Sequence, residues 1–97
     1  MNFEIAPTST EIQAIWDDAR LACFSLNIEG KTGWRLPTKE ELNEIYESDN
    51  DFQKSYYWSS TENNGSYAWD QNFGSGYQGA NLKGYGFNYV RAIRSTV

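Results

Sequence analysis

Histidine is absent from this chain of 97 residues, and cysteine occurs once, as Cys23. Without histidine, neither a zinc site of the Cys/His kind nor a Ser/His/Asp triad can be assembled. One cysteine leaves no partner for an intrachain disulfide. Cations are also scarce: 8 Lys and Arg stand against 13 Asp and Glu, a net charge of −5. That balance argues against a nucleic-acid binder and against attraction to an anionic membrane surface. No apolar run is long enough to span a bilayer, and the start carries no signal-peptide hydrophobic region. The expectation is a protein that stays in the cytoplasm or leaves by a route needing no such signal.

What the chain has in quantity is aromatic side chains, 16% of residues, with four Trp and seven Tyr. Large rings suit a small core, and they equally suit a binding surface. The length predicts one domain over residues 1–97. Phe3 and Ile5 in "NFEIA" predict a short first strand. "PTSTEI" (7–12) and "PTKEEL" (37–42) then repeat one local grammar. In each, a Thr (Thr8, Thr38) precedes a Glu three residues on (Glu11, Glu41), the spacing of a capping box. A first helix is predicted over about 9–26, with Ile12, Ile15, Trp16, Ala19, Ala22 or Cys23, and Leu26 on one stripe. A second is predicted over about 39–47.

From residue 56 the pattern turns to β. "YYWSSTE" (56–62) and the alternating "YAWDQNF" (67–73) flank Asn64-Gly65, the pair favoured in type I′ hairpins. Residues 74–87 carry five glycines and read as a loop-rich connection, and "NYVRAIR" (88–94) reads as the last strand. Two helices followed by three or four antiparallel strands define an α+β domain.

Four ordered stretches, "GWRLPTKEEL", "YWSSTE", "AWDQNF" and "YVRAIR", resemble the Lcl C-terminal-domain family, C-type-lectin-like domains of bacterial surface proteins and phages. The likeness covers about residues 10–94; a more distant one is to the fold of formylglycine-generating enzymes. The resemblance implies a C-type-lectin-like fold, two helices flanking a small twisted antiparallel sheet with long loops, and chain termini lying close together. It also implies a disulfide between the first helix and the last strand. Here Cys23 holds the helix position and Ala92 the other, so the bridge is missing. The Glu-Pro-Asn or Gln-Pro-Asp triplet of calcium-dependent sugar binding is absent too.

Arg35 is expected to pair with Glu40 or Glu41 rather than to clamp a ligand. Ser59, Ser60 and Thr61 have no evident base, so they are expected to satisfy backbone groups. Arg91 and Arg94 are expected on opposite faces, one in a buried ion pair and one exposed. Two oxygen-rich groups, Glu47/Asp49/Asn50/Asp51 and Glu62/Asp70/Asn72, have the chemistry for a hard cation but too few ligands in sequence for a loop of the EF-hand kind. No metal and no cofactor is expected.

The candidate binding residues are Tyr77, Asn81, Tyr85 and Asn88. Tyr, Gly and Asn interleave there in the manner of recognition loops, and the resemblance puts ligand loops at this place. The alternative is a structural loop stapled by its own aromatics. The expected function is a non-enzymatic binding or assembly module, a decoration or tail-associated component of a phage virion. Its expected partner is a capsid, tail or receptor protein or a surface glycan, with self-association also open. The alternative is a cytoplasmic acidic protein that regulates another protein. An enzyme related to formylglycine-generating enzymes is disfavoured, because a lone Cys in a helix stripe does not supply the reactive cysteines that family uses.

Overall fold

The computed structural model describes residues 1–96. In chain order it has β1 (Phe3–Ile5), a 3-10 turn (Thr8–Thr10), β2 (Ile12–Ala14), α1 (Trp16–Phe24), β3 (Trp34–Arg35) and α2 (Lys39–Tyr46). β4 (Tyr56–Glu62), β5 (Tyr67–Asn72), β6 (Gln78–Leu82), β7 (Asn88–Val90) and β8 (Ile93–Ser95) follow. The class is α+β with two helices, as expected, but there are two sheets rather than one. One sheet has the order β1-β8-β3, the other β2-β7-β4-β5-β6. Pairing is antiparallel except between β4 and β7, which run parallel. Among the described residues no helix is long and apolar enough to cross a membrane.

The first and last strands meet, Phe3 opposite Ser95. The first helix, however, begins seven residues later than its stripe suggests. Thr8–Thr10 closes a 3-10 turn through Glu11 N–H donating to Thr8 O (3.0 Å). Ile12–Ala14 then lies along β7 as a strand. The capping box expected at Thr8 and Glu11 does not form. The Thr8 hydroxyl donates to Asp51, and the Glu11 carboxylate is taken by Arg91. The same grammar succeeds at Thr38. Its hydroxyl accepts from Glu41 N–H (3.1 Å), and Glu41 Oε1 accepts from Thr38 N–H (2.9 Å). Glu41 also accepts both arms of Arg35 at 2.7 and 2.8 Å, so the Arg35 pairing is the structural one expected.

Three other expectations change. The Asn64-Gly65 turn is not type I′, which needs positive φ at both central residues: neither residue has it. Instead the Asn64 side chain accepts from the Ser66 and Tyr67 N–H groups. The glycine-rich connection contains β6, paired along its length with β5. The last strand is two strands, broken at Arg91 and Ala92 as the chain passes from one sheet to the other. The segment from β1 to β2 switches sheets beside it, joined there by Ala6 N–H donating to Ala92 O (2.9 Å).

Arg91 fills this double crossing. Its guanidinium, 2% exposed as a residue, donates to Glu11 Oε2 at 2.8 and 3.0 Å and to Asp51 Oδ1 at 3.0 Å, and also reaches Ala6 O. The Tyr57 hydroxyl donates to the same Glu11 oxygen at 2.6 Å. The buried ion pair expected of one arginine is that of Arg91; Arg94 is not the exposed one expected, being half-buried and paired with Glu4.

Two apolar clusters flank the sheets. One gathers Trp16, Trp34, Trp58, Cys23 and Ala92; the other gathers Leu42, Ile45, Phe52, Tyr57 and Phe73. The indole N–H of each buried Trp is satisfied by a carbonyl, Trp16 by Ser59, Trp34 by Lys31 and Trp58 by Ala14. Cys23 is free and buried, and burial pushes its thiol up to about 12. It lines a small cavity together with Ala92, the position where the resemblance puts its disulfide partner.

Removing the guanidinium would leave Glu11 buried without its cation. Arg91→Ala is therefore expected to lower the unfolding free energy by about 3–5 kcal/mol, measured by urea denaturation. A loss below about 1 kcal/mol, the scale of an exposed pair, contradicts this account. A second expectation concerns acid. The bidentate bond from Arg35 is the main cause holding the Glu41 carboxyl at about 2 when folded, against about 4.3 for a free Glu. A depressed carboxylate stabilises the fold above the free value, and that share is lost as pH falls towards the folded value. Glu41→Gln is expected to flatten the fall in urea midpoint through that window; an unchanged slope assigns it to other groups.

Candidate functional site

β5 positions the site. Its alternation sends Asp70 to the face that also receives Asn88 from β7, and burial leaves Asp70 4% exposed. Asp70 Oδ2 accepts from Asn88 Nδ2 at 2.9 Å. The Asn81 side chain and the Gly79 N–H also face the carboxylate. Burial is the dominant influence and raises the Asp70 carboxyl above its ordinary value; the bonds from Asn88, Asn81 and Gly79 pull the other way without overcoming it. No Lys or Arg among the described residues comes within 4.0 Å of it.

Two glycines shape the surroundings. Gly79 lies directly across from Asp70 in the β5–β6 ladder. A methyl group there would stand 2.8 Å from the Tyr77 ring and 3.6 Å from Asp70 Oδ1, so only glycine lets the ring lie over the strand beside the carboxylate. A methyl group at Gly86 would meet Asn81 Nδ2 at 2.5 Å and the Trp58 ring at 2.9 Å. Gly86 thereby lets the 83–87 loop close onto β6. The resulting open cavity, about 250 Å³, is lined by Tyr56, Asp70, Tyr77, Gly79, Ala80 and Asn81.

The four sequence candidates divide. Tyr77 and Asn81 line the cavity. Asn88 is buried, and its side-chain amide donates to Asp70, which makes it a support rather than a surface donor. Tyr85 stands on the loop next to Gly86, outside the cavity lining. Tyr77, Tyr85 and Phe87 are 63%, 84% and 62% exposed, so none of these rings is a core staple. Sequence reasoning missed Phe87 and Tyr56, and grouped Asp70 with Glu62 and Asn72. That grouping does not form: Glu62 pairs with Lys83, and Asn72 Oδ1 accepts from Gly74 N–H. The signal available for Asp70 was its place beside Ala68 on one strand face, where a small apolar neighbour implies burial.

The other oxygen-rich stretch caps α2 instead of converging. Asn50 donates to Ile45 O and accepts from Phe52 N–H, and Asp51 turns to Arg91. The strand hydroxyls behave as expected: Ser59 donates to Trp69 O, and Thr61 accepts from Lys39 N–H. A larger groove, about 580 Å³, lies between α1 and β3 with Leu21, Phe24, Trp34 and Leu36 in its walls. Its charged residues are already paired, Arg20 with Asp17 and Arg35 with Glu41, so it holds no unmatched charge like that of Asp70.

The site is thus a buried carboxylate without a cation, next to an exposed ring, on an α+β frame. The family is defined by sequence: the chain belongs to the Lcl C-terminal domain family, whose sequence model matches residues 3–94. No curated protein matches the chain.

The raised Asp70 carboxyl means that the folded protein binds this proton more tightly than the unfolded chain. Its contribution to stability is present at acid pH and lost as pH rises through the ordinary range near about 3.9 and on to the raised value. Asp70→Asn, which keeps an acceptor for Asn88, is expected to melt no lower than the parent at pH 7. Any gain over the parent should shrink towards pH 3. A clear loss of melting temperature at pH 7 would mean that the ionised carboxylate stabilises the fold.

Proposed function

We propose that this chain is a non-enzymatic binding or assembly module of C-type-lectin-like fold. Its ligand face is the end of the sheet carried by β6 and the 83–87 loop. The observation that carries the reading is the exposure of Tyr77, Tyr85 and Phe87 along one stretch of chain, with Tyr77 lining a cavity that Asp70 shares. These rings are not needed inside, because Trp16, Trp34, Trp58 and Phe73 already fill the core. Exposed aromatics that cluster around a cavity are the usual mark of an interaction site. The partner is another protein or a surface glycan. The setting that the sequence resemblance favours is a phage virion, as a decoration or tail-associated component.

Interface anchors of this kind typically cost about 2 kcal/mol or more when truncated, which is about thirtyfold in affinity. The double variant Tyr77→Ala, Tyr85→Ala is expected to lose attachment to purified particles by about that factor, with its melting temperature nearly unchanged, since neither ring is buried. Unchanged attachment with lowered melting would make the loop structural and move the binding face elsewhere. Mass spectrometry of purified virions tests the setting separately: presence only in the cell lysate rejects the virion.

A further inference from the structure

We propose that the cavity between Tyr56, Tyr77 and Asn81 receives one positively charged side chain, lysine or arginine, presented by the partner, with Asp70 as its counter-ion. The inference rests on the reading of this face as the binding face, and it names the chemistry of what binds there.

The charge inventory is the first argument. The chain has 8 Lys and Arg. Six of them, Arg20, Lys31, Arg35, Lys83, Arg91 and Arg94, are in ion pairs with other carboxylates. Lys39 lies over the Trp69 ring at 3.7 Å. Lys54 lines a different cavity, with Tyr46, Asp49 and Phe73. None of the eight lies within 4.0 Å of Asp70, which is nonetheless buried. A buried ion without a partner is costly unless something neutralises it. A cation entering the cavity would do so.

Shape and lining are the second. At about 250 Å³ the cavity is smaller than a typical small-molecule site and suits the end of one side chain. Its wall is aromatic, and a ring face attracts a cation that has shed water. The molecule uses the same combination internally. Arg91 lies 4.5 Å over the Phe52 ring while pairing with Glu11 and Asp51. The cavity offers a ring and a carboxylate together as well. The net charge of −5 adds long-range attraction for a basic partner.

A divalent metal fits less well. Calcium takes about 6–8 oxygens, and this site brings one carboxylate. The Asn81 Oδ1 accepts from Leu82 N–H, and Asn88 turns its nitrogen to Asp70.

The test is an NMR titration of the isotope-labelled chain with three probes: Nα-acetyl-lysine amide, Nα-acetyl-norleucine amide and calcium chloride. Saturable shifts at the Gly79 and Asn81 amides are expected with the lysine probe, and none with norleucine. Loss of a charge-assisted contact should weaken lysine binding about tenfold in Asp70→Asn. Tyr77→Ala should weaken it as well and keeps the test valid should Asp70→Asn fail to fold, which circular dichroism checks. An equal response to norleucine overturns the proposal, as does no response to lysine or a saturable shift with millimolar calcium at these amides. If lysine fails while the Tyr77/Tyr85 variant still loses particle attachment, the face stands and the cation pocket falls. If lysine binds while that variant attaches normally, the pocket stands and the proposed particle-binding role falls.

Discussion

The bond between Arg91 and Glu11 is the contact on which the rest of the fold depends. Residues 3–14 and 88–95 run as a pair, and both change sheets at the same point. Two backbones that leave their ladders together expose carbonyls and a gap between layers. The guanidinium closes that gap, reaching Ala6 O, Glu11 and Asp51 at once, with Phe52 beneath it. Tyr57 from the middle of the larger sheet joins through Glu11. A hydrophobic side chain of similar size would fill the space but leave those oxygens without donors. With Cys23 free and Ala92 across a small cavity from it, no covalent bond holds the last strand. The ion pair lies at the neighbouring residue and ties the last strands to the segment before β2 instead.

Asp70 inverts that arrangement. Both charges are buried, yet Arg91 meets two carboxylates while Asp70 meets only amides and a backbone N–H. Structural ions tend to be neutralised within the molecule; an ion left partly unsatisfied beside an opening is what led us to propose a complement from outside. The glycines at 79 and 86 serve the same end, since they bring Tyr77 and the 83–87 loop against β6 where any side chain would hold them off. The saturated and the open parts of the molecule are thus separate. The crossing at Arg91 is saturated with contacts, and the β6 edge is open.

Much of this was legible in the sequence. The helix start at Thr38 was readable because Thr38, Glu41 and Arg35 lie within seven residues and satisfy one another locally. β4 was readable from its run of aromatic and hydroxyl residues, and β5 because its aromatics alternate. The family and the α+β class followed from motifs in order. The identical grammar at Thr8 misled, since Glu11 had a buried arginine to meet 80 positions away, and a charge that must be buried with its partner outweighs one capping bond. β6 was hidden because its glycines have low strand propensity; pairing along β5 supplied what propensity did not.

The sequence by itself determined the local and the stoichiometric: one capped helix, one alternating strand, an excess of acid, a single thiol with no partner. These follow from neighbours along the chain or from counting, and no fold alters them. Only the tertiary structure decided which Glu would cap and which would be buried, where the last strand would break, and which carboxylate would be left without a cation. Each of those outcomes depends on groups far apart in sequence competing for the same partner. Desolvation, which sets the cost of losing that competition, exists only once the layers have closed.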